Sequence, residues 1–359
     1  MTPPYPSSGP SPPPRRLWQL DGIRGATAIY VVLHHWAGSS STIPVWLHKG
    51  LLSFGQEAVI IFFLLSGFVI GWSSLGRSQQ TFYQYFIRRF RRIYFPFLVS
   101  LLLVFAITVS NQGWSTVIEK PGLLTTLLGN LLMLQELTVL KPGVWVDPFL
   151  GNLSIWTLTY EWWFYFLFFP AYKYLIHRPW RVVFITLFSL TNFLIYTQFP
   201  NVVSLVFSYF ALWWSGVEVA LIVYRKRLSW SSLSPSLASV AAMVAVTAGP
   251  VLSSDQIRLG YYPFLTFRHC VAVAVFLVLA KLWHDKRPGF MDFVLKPFKI
   301  FAPISYAIYL FHYPILVIWK PTLWDGNPWI IMPLKLVILM GLSYGVEVYL
   351  QPKVNRIIR

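Results

Sequence analysis

Leu20-Asp21-Gly22-Ile23-Arg24-Gly25-Ala26-Thr27-Ala28-Ile29-Tyr30-Val31-Val32-Leu33-His34-His35-Trp36 is the stretch that decides how this chain is read. Its length and apolar character suit a first membrane span, yet it carries an aspartate, an arginine and two histidines. Arg24 and His35 are eleven residues apart, about 16 Å along a helix axis and about three turns, so they share nearly one face. His34 points about 100° away, so only one of the two histidines faces a given cleft. Ionisable groups in an apolar span are costly and usually line a protein-enclosed path or take part in chemistry. An imidazole exchanges protons near neutral pH, which makes acid–base catalysis the first hypothesis for His35. The plainer alternative is a histidine hydrogen-bonded inside the bundle or facing the headgroups.

The rest of the chain fits a membrane protein. Its 359 residues are 56% hydrophobic and 11% charged, against about 25% charged in soluble domains. A soluble core has no room for that much apolar surface, whereas a bilayer accepts it. The net charge of +17 does not indicate nucleic acid, because the basic residues lie between apolar runs and not along one polar stripe. They read as topology signals and anchors for anionic lipid. Cys270 is the sole cysteine, which rules out an intramolecular disulfide, and the histidine spacing gives no support to a metal site. Residues 1–16 form a Pro/Ser-rich segment without an apolar h-region, read as a disordered cytoplasmic tail ahead of one domain over 17–359.

Apolar runs able to cross ~30 Å of hydrocarbon fall near 20–38, 51–74, 93–111, 153–176, 181–199, 203–224, 233–252, 261–283, 300–320 and 329–350. An eleventh candidate, 122–140, contains Asn130, Gln135 and Glu136. With ten spans and a cytoplasmic N-terminus, 21 of the 29 lysines and arginines fall inside and five outside; Arg24, Arg268 and Lys335 lie within spans. Letting 122–140 cross would largely erase that bias, so the positive-inside rule favours ten spans with both termini cytoplasmic, and 122–140 re-entrant or at the outer interface. The expected fold is therefore an all-α polytopic membrane bundle.

Several further residues have two readings. Asp21 and Arg24, one turn apart, either pair with each other or orient a polar ligand. Arg88-Arg89-Phe90-Arg91-Arg92 suits forked phosphate recognition or headgroup anchoring after the second span. Ser66-Gly67 allows close helix approach, and a nucleophilic Ser66 would need a base beside it. Glu161 enters the apolar region about two turns into the fourth span and must be protonated or paired, with an arginine or His35 as the functional partner. His312 is mid-span before Pro314, whose freed carbonyls offer it local hydrogen bonds. Glu218 and Glu347 are also deep in spans, and Glu57 lies near the outer end of the second.

Taken in order, five segments resemble the acyltransferase-3 family of membrane O-acyltransferases. They are Leu20-Asp21-Gly22-Ile23-Arg24-Gly25 with His35; Phe62-Phe63-Leu64-Leu65-Ser66-Gly67-Phe68; Arg89-Phe90-Arg91-Arg92-Ile93-Tyr94; Trp156-Thr157-Leu158-Thr159-Tyr160-Glu161 leading to Phe164-Tyr165; and Ile304-Ser305-Tyr306 through Tyr309-Leu310-Phe311-His312-Tyr313-Pro314-Ile315. Two positions depart from the family pattern: Trp162 stands where a second acidic residue is common, and Ile60 where an acidic residue often precedes Phe-Phe.

The resemblance implies transfer of an acyl group, usually acetyl, from cytoplasmic acyl-CoA as co-substrate to a hydroxyl of a glycan or lipid-linked sugar. It implies Arg24 and His35 as the catalytic core, to which the reading of the residues adds Glu161, or another carboxylate, as the group that orients the imidazole. Asp21, Arg89, Arg92, Ser66 and His312 are then the candidates for binding acyl-CoA or acceptor. It also implies a bacterial-type inner (plasma) membrane, no bound cofactor, and a separate extracytoplasmic partner protein where relatives carry an extra domain. Two readings compete. One is a transporter or flippase for a sugar–lipid or small anion, with Arg24, Glu161 and His312 along its path. The other is an inactive scaffold.

Overall fold

The computed structural model describes residues 18–39, 43–75, 80–286, 289–321 and 328–357; the expected tail at 1–16 lies outside them. Within the described residues the chain is a membrane helix bundle, and its one β-type pairing is an isolated bridge between Gln135 and Val146. The helices are α1 (Trp18–Ser39), α2 (Val45–Lys49), α3 (Gly55–Leu75), α4 (Phe82–Gln112), α5 (Trp114–Ile118), α6 (Leu123–Leu131), α7 (Trp156–Leu175) and α8 (Arg181–Gln198). There follow α9 (Val202–Ser208), α10 (Phe210–Tyr224), α11 (Trp230–Leu252), α12 (Phe264–Lys286), α13 (Gly289–Leu295), α14 (Ser305–His312), α15 (Pro328–Tyr344) and α16 (Gln351–Ile357). A 3₁₀ stretch, Lys296–Ile304, leads into α14; π-helical stretches Tyr313–Ile318 and Gly345–Leu350 extend α14 and α15.

Seven helical stretches among the described residues are long and apolar enough to cross a membrane: Gly55–Leu75, Phe82–Gln112, Val202–Tyr224, Trp230–Leu252, Phe264–Lys286, Gly289–Ile318 and Ile330–Ile357. Each coincides with an expected span. The other three expected spans are also helical, in α1, α7 and α8, at 22, 20 and 18 residues. They are less apolar for visible reasons. The helix α1 holds Asp21, Arg24 and two histidines, α7 mixes Glu161 with many Trp and Tyr residues, and α8 starts at Arg181 and carries Thr, Ser and Asn. The candidate at 122–140 does not form a span. Its helix, α6, has nine residues, about 14 Å of rise, and the chain beyond it turns back into the bundle. There Gln135 Nε2 donates to the Ile155 carbonyl at 3.0 Å, and Lys141 pairs with Glu136 at 2.8 Å within a cage of Trp156, Tyr160 and Tyr209.

Two boundaries differ from the sequence reading. The expected span at 93–111 begins eleven residues earlier, at Phe82, because Thr81 and Gln84 form a reciprocal cap: the Thr81 side chain accepts from the Gln84 N–H, and the Gln84 side chain accepts from the Thr81 N–H. The arginine run is therefore part of α4 and not a loop that follows α3. The expected span at 300–320 is not one regular helix. It passes through 3₁₀, α and π geometry, with Pro303 and Pro314 removing donors from the ladder.

Lipid gives helices no hydrophobic reason to associate, so close backbone approach and good packing must hold them. The pairs α3–α10 and α1–3₁₀ do this with glycine. Gly67 lies against the Trp213 carbonyl and Gly216 against the Leu64 carbonyl, where any Cβ would strike backbone. Gly22 and Gly25 likewise face the carbonyls of Leu295 and Phe298. The Gly-x-x-Gly spacing of α1 thus seats the 3₁₀ stretch beside Arg24. Gly67→Val is expected to force α3 from α10 and lower stability by about 1–3 kcal/mol, measured as thermal unfolding in detergent. An unchanged midpoint would contradict the close-approach account.

Candidate active site

A cavity of about 440 Å³ opens among α1, α3, α4, α7, the 3₁₀–α14 segment and the α15–α16 end of the chain. That volume is in the usual range for small-molecule sites. Its lining includes Arg24, Ser66, Arg89, Arg92, Glu161, Tyr165, Ser305, Tyr306, Tyr309 and Glu347. Five sequence candidates, from four separate helices, therefore share one space.

The arginines converge by helix geometry. Arg89 and Arg92 are three residues apart on α4, so both project to the cavity face. Arg91, on another face, donates to the Asn355 carbonyl at 2.8 Å and ties α4 to α16. Arg24 enters from α1 and donates to Ser305 Oγ at 3.4 Å. Arg89 donates to Ser73 Oγ at 3.0 Å, with its guanidinium 5.5 Å and 5.8 Å from the ring centres of Tyr85 and Tyr165. Arg92 forms an ion pair with Glu347 and lies 5.1 Å from the Tyr306 ring. The pairing of Arg92 with Glu347 across 255 residues was not legible from sequence. The available signal was a lone carboxylate deep in an apolar span, which needs a cation.

Glu161 faces this cavity, but it does not orient the His35 imidazole as expected. Its Oε1 accepts from Tyr165 Oη at 2.8 Å, and Tyr165 Oη is 3.1 Å from Ser66 Oγ. Since the Tyr165 proton goes to the carboxylate, Ser66 donates to Tyr165. Ser66 therefore has a phenol beside it and not the base a nucleophilic serine requires. Tyr165 belongs to the fourth family-like segment but carries no expected role, although it is one turn beyond Glu161 on α7. Asp21 is also absent from the cavity wall, although its charge acts on Arg24 from one turn away.

The histidines form a second centre. Their rings are not part of the cavity wall, but Tyr309, which is, has its ring 5.9 Å from that of His312. His35 is 5.2 Å from His312 and 5.0 Å from Tyr313, ring centre to ring centre. The shared face of α1 expected from the spacing is realised: Arg24 meets Ser305 at one end of α14, and His35 meets His312 at the other. His34 turns away, with its ring on Gly55 and Nδ1 against the Leu52 carbonyl. His35 is thus the histidine that faces the bundle. Local carbonyls satisfy His312 only in part. Its Nδ1 donates to Tyr309 O at 2.7 Å and Ile308 O at 3.2 Å, while Nε2 is buried without a partner. Of the three residues drawn for a transporter path, Arg24 and Glu161 line the cavity and His312 does not. Glu57, near the outer end of the second span, pairs with Arg268 of α12 at 2.6 Å.

The Arg92–Glu347 pair generates a stability prediction. Arg92→Met leaves Glu347, 1% exposed, without its cation. The loss should be about 3 kcal/mol, the low end for a broken buried pair because the Arg92 side chain keeps 36% exposure. Adding Glu347→Gln should recover most of it in thermal unfolding, and a purely additive double variant would contradict the pairing.

A family model described as an acyltransferase domain, that of the acyltransferase-3 family, matches residues 17–350. Acyltransferase MdmB of Streptomyces mycarofaciens is 31% identical over 175 residues, a match that spans 46% of this chain and 42% of that relative. No solved structure matches the chain. The matched region contains α1, α3, α4, α7 and α14, which carry the arginine cavity and the His35–His312 pair, and the chain belongs to the acyltransferase-3 family.

Proposed function

We propose that this chain is a membrane acyltransferase that takes an acyl group, in the first instance acetyl, from acyl-CoA as co-substrate and transfers it to a hydroxyl of a glycan or lipid-linked sugar. The observation that carries this reading is the separation of two chemistries along one bundle. Three guanidinium groups line a cavity at one end, and an imidazole pair, buried His312 and part-buried His35, stands at the other, joined by the faces of α1 and α14. Forked arginines favour phosphate oxygens, so Arg89, Arg92 and Arg24 would hold the phosphates of the donor. The acyl arm would extend past Ser66 and Glu161 towards Tyr309.

In this mechanism the chain's residues have distinct roles. Arg24, held on Ser305 about 16 Å along α1 from His35, belongs to the phosphate end and shares the donor's negative charge with Arg89 and Arg92. His35 removes the proton from the acceptor hydroxyl as the oxygen attacks the acyl carbon. A carbon–oxygen bond forms, the carbon–sulfur bond breaks, and the thiolate of CoA takes up a proton. Glu161 holds Tyr165 and, through it, Ser66, which fixes the wall along the acyl arm. Tyr309 stands between donor and imidazole and must turn aside for the two to meet. The reading places the arginine end at the cytoplasmic face of a bacterial-type inner membrane, where acyl-CoA is available. A separate extracytoplasmic protein would present the acceptor.

Two measurements test the reading. Membranes carrying the chain, supplied with radiolabelled acetyl-CoA and host glycans, should label glycan. His35→Ala should reduce that labelling at least about a hundredfold, the lower end of what a general base contributes; labelling at the wild-type rate would overturn the role of His35. Arg89→Ala should weaken CoA binding about tenfold in a calorimetric titration, at a cost of ~1.4 kcal/mol, and undiminished affinity would remove Arg89 from the donor site.

A further inference from the structure

Four of the chain's seven histidines stand in a row. From the core outward the ring centres are separated by 5.2 Å (His312 to His35), 4.8 Å (His35 to His34) and 6.3 Å (His34 to His48). The row begins at a fully buried residue on α14 and ends at half-buried His48 on the short helix α2, next to exposed Lys49. Two imidazoles joined by an N–H···N bond of about 2.9 Å have ring centres about 5 Å apart, so each gap is closed by a small ring rotation or one water.

We propose that His48, His34, His35 and His312 form a proton path from the catalytic imidazole to the surface at the histidine end of the bundle. The tautomers suit this use. Carbonyls only accept, so His312 donates from Nδ1 to Tyr309 O, and His34 donates from Nδ1 to Leu52 O. Each therefore keeps Nε2 as the nitrogen that takes up the proton, and rotation of the His34 ring, which rests on Gly55, carries it from His35 towards His48. His312, with an unpartnered Nε2 beside His35, orients the His35 ring and is a positioning residue. Among the described residues no group of three or more His, Cys, Asp or Glu is arranged to hold a metal ion.

The neighbouring charges leave the histidines as the proton carriers. On α3 and α12, Glu57 and Arg268 neutralise each other at 2.6 Å. Tyr30 of α1 bonds to the Leu51 carbonyl and accepts from the Phe54 N–H at 3.2 Å. Tyr313 packs edge-on against His35, and Tyr309 accepts from Thr157 at 3.0 Å. Lys49 is exposed beside His48.

The inference rests on the proposed function only for the direction of flow. When the acceptor oxygen attacks, its O–H bond breaks and the proton goes to His35, then to His34, His48 and water. The carbon–sulfur bond breaks at the other side, and the thiolate takes a proton from water at the arginine end. One proton is released at the histidine end and one is taken up at the arginine end, with no oxidant or reductant.

The test uses the full chain in sealed vesicles with the pH of each face set separately. Acyl transfer should slow as the histidine-end pH falls with the arginine-end pH fixed, because protonated imidazoles cannot accept. His34→Gln should transfer at least about tenfold more slowly, lose that one-sided pH response, and recover partly when imidazole is added at the histidine end. A wild-type rate in His34→Gln, or a loss that imidazole does not rescue, would overturn the path. A second readout needs no acyl donor. With nitrogen-15-labelled histidine in micelles, His34→Gln should shift the titration of His35 by at least about 0.5 pH unit, and an unmoved titration would overturn the path. Coupled titration without any acyl transfer would retain the proton path and reject the proposed donor and acceptor.

Discussion

Three guanidinium groups in one cavity repel each other, and the low dielectric of a membrane bundle strengthens that repulsion. Arg24, Arg89 and Arg92 are held together because the surrounding helices supply compensation. Glu347 pairs with Arg92, Ser73 and Ser305 accept from Arg89 and Arg24, and the rings of Tyr85, Tyr165 and Tyr306 present their faces to the cations. Much of the architecture follows from that constraint. The chain must bring α15 back to α4 to deliver Glu347. The 3₁₀ stretch must lie tight on α1 to place Ser305, which Gly22 and Gly25 permit. A cavity assembled in this way carries surplus positive charge that an anionic ligand can offset, which is why the site reads as a receptor for phosphates.

A histidine centre beyond Tyr309 complements the arginine cavity. Burial keeps water from His312, while part-buried His35 leads through His34 and His48 to the surface. The side chain between the centres is a tyrosine whose hydroxyl accepts from Thr157. In this account donor and acceptor chemistries are kept apart until Tyr309 moves, an arrangement that limits hydrolysis of a bound thioester.

The sequence was informative wherever a residue type contradicted its surroundings. An arginine and a histidine in one span gave the correct shared face of α1, and the Arg-x-x-Arg spacing put two cations on one side of α4. Charge bias kept 122–140 from being read as a span, and that segment has a nine-residue helix that turns back into the bundle. What escaped was long-range partnership. Nothing local links Arg92 to Glu347, or turns Glu161 towards Tyr165 instead of His35. Tyrosines were overlooked because in an aromatic-rich chain they resemble core. The early start of α4 was missed because hydropathy follows apolar residues, whereas the Thr81–Gln84 cap sets the helix end. The irregular geometry around Pro303 and Pro314 was only partly legible, since proline marks a break without saying which geometry replaces the helix.

The central claim is that donor and acceptor meet from opposite ends of the bundle. Sealed inverted membrane vesicles test it most directly, with radiolabelled acetyl-CoA supplied only to the exposed cytoplasmic face and glycan enclosed in the lumen. The account predicts labelled glycan that an added esterase cannot reach until the vesicles are opened. Label on glycan added outside, with none on the enclosed glycan, would contradict it, because donor and acceptor would then meet at the arginine end.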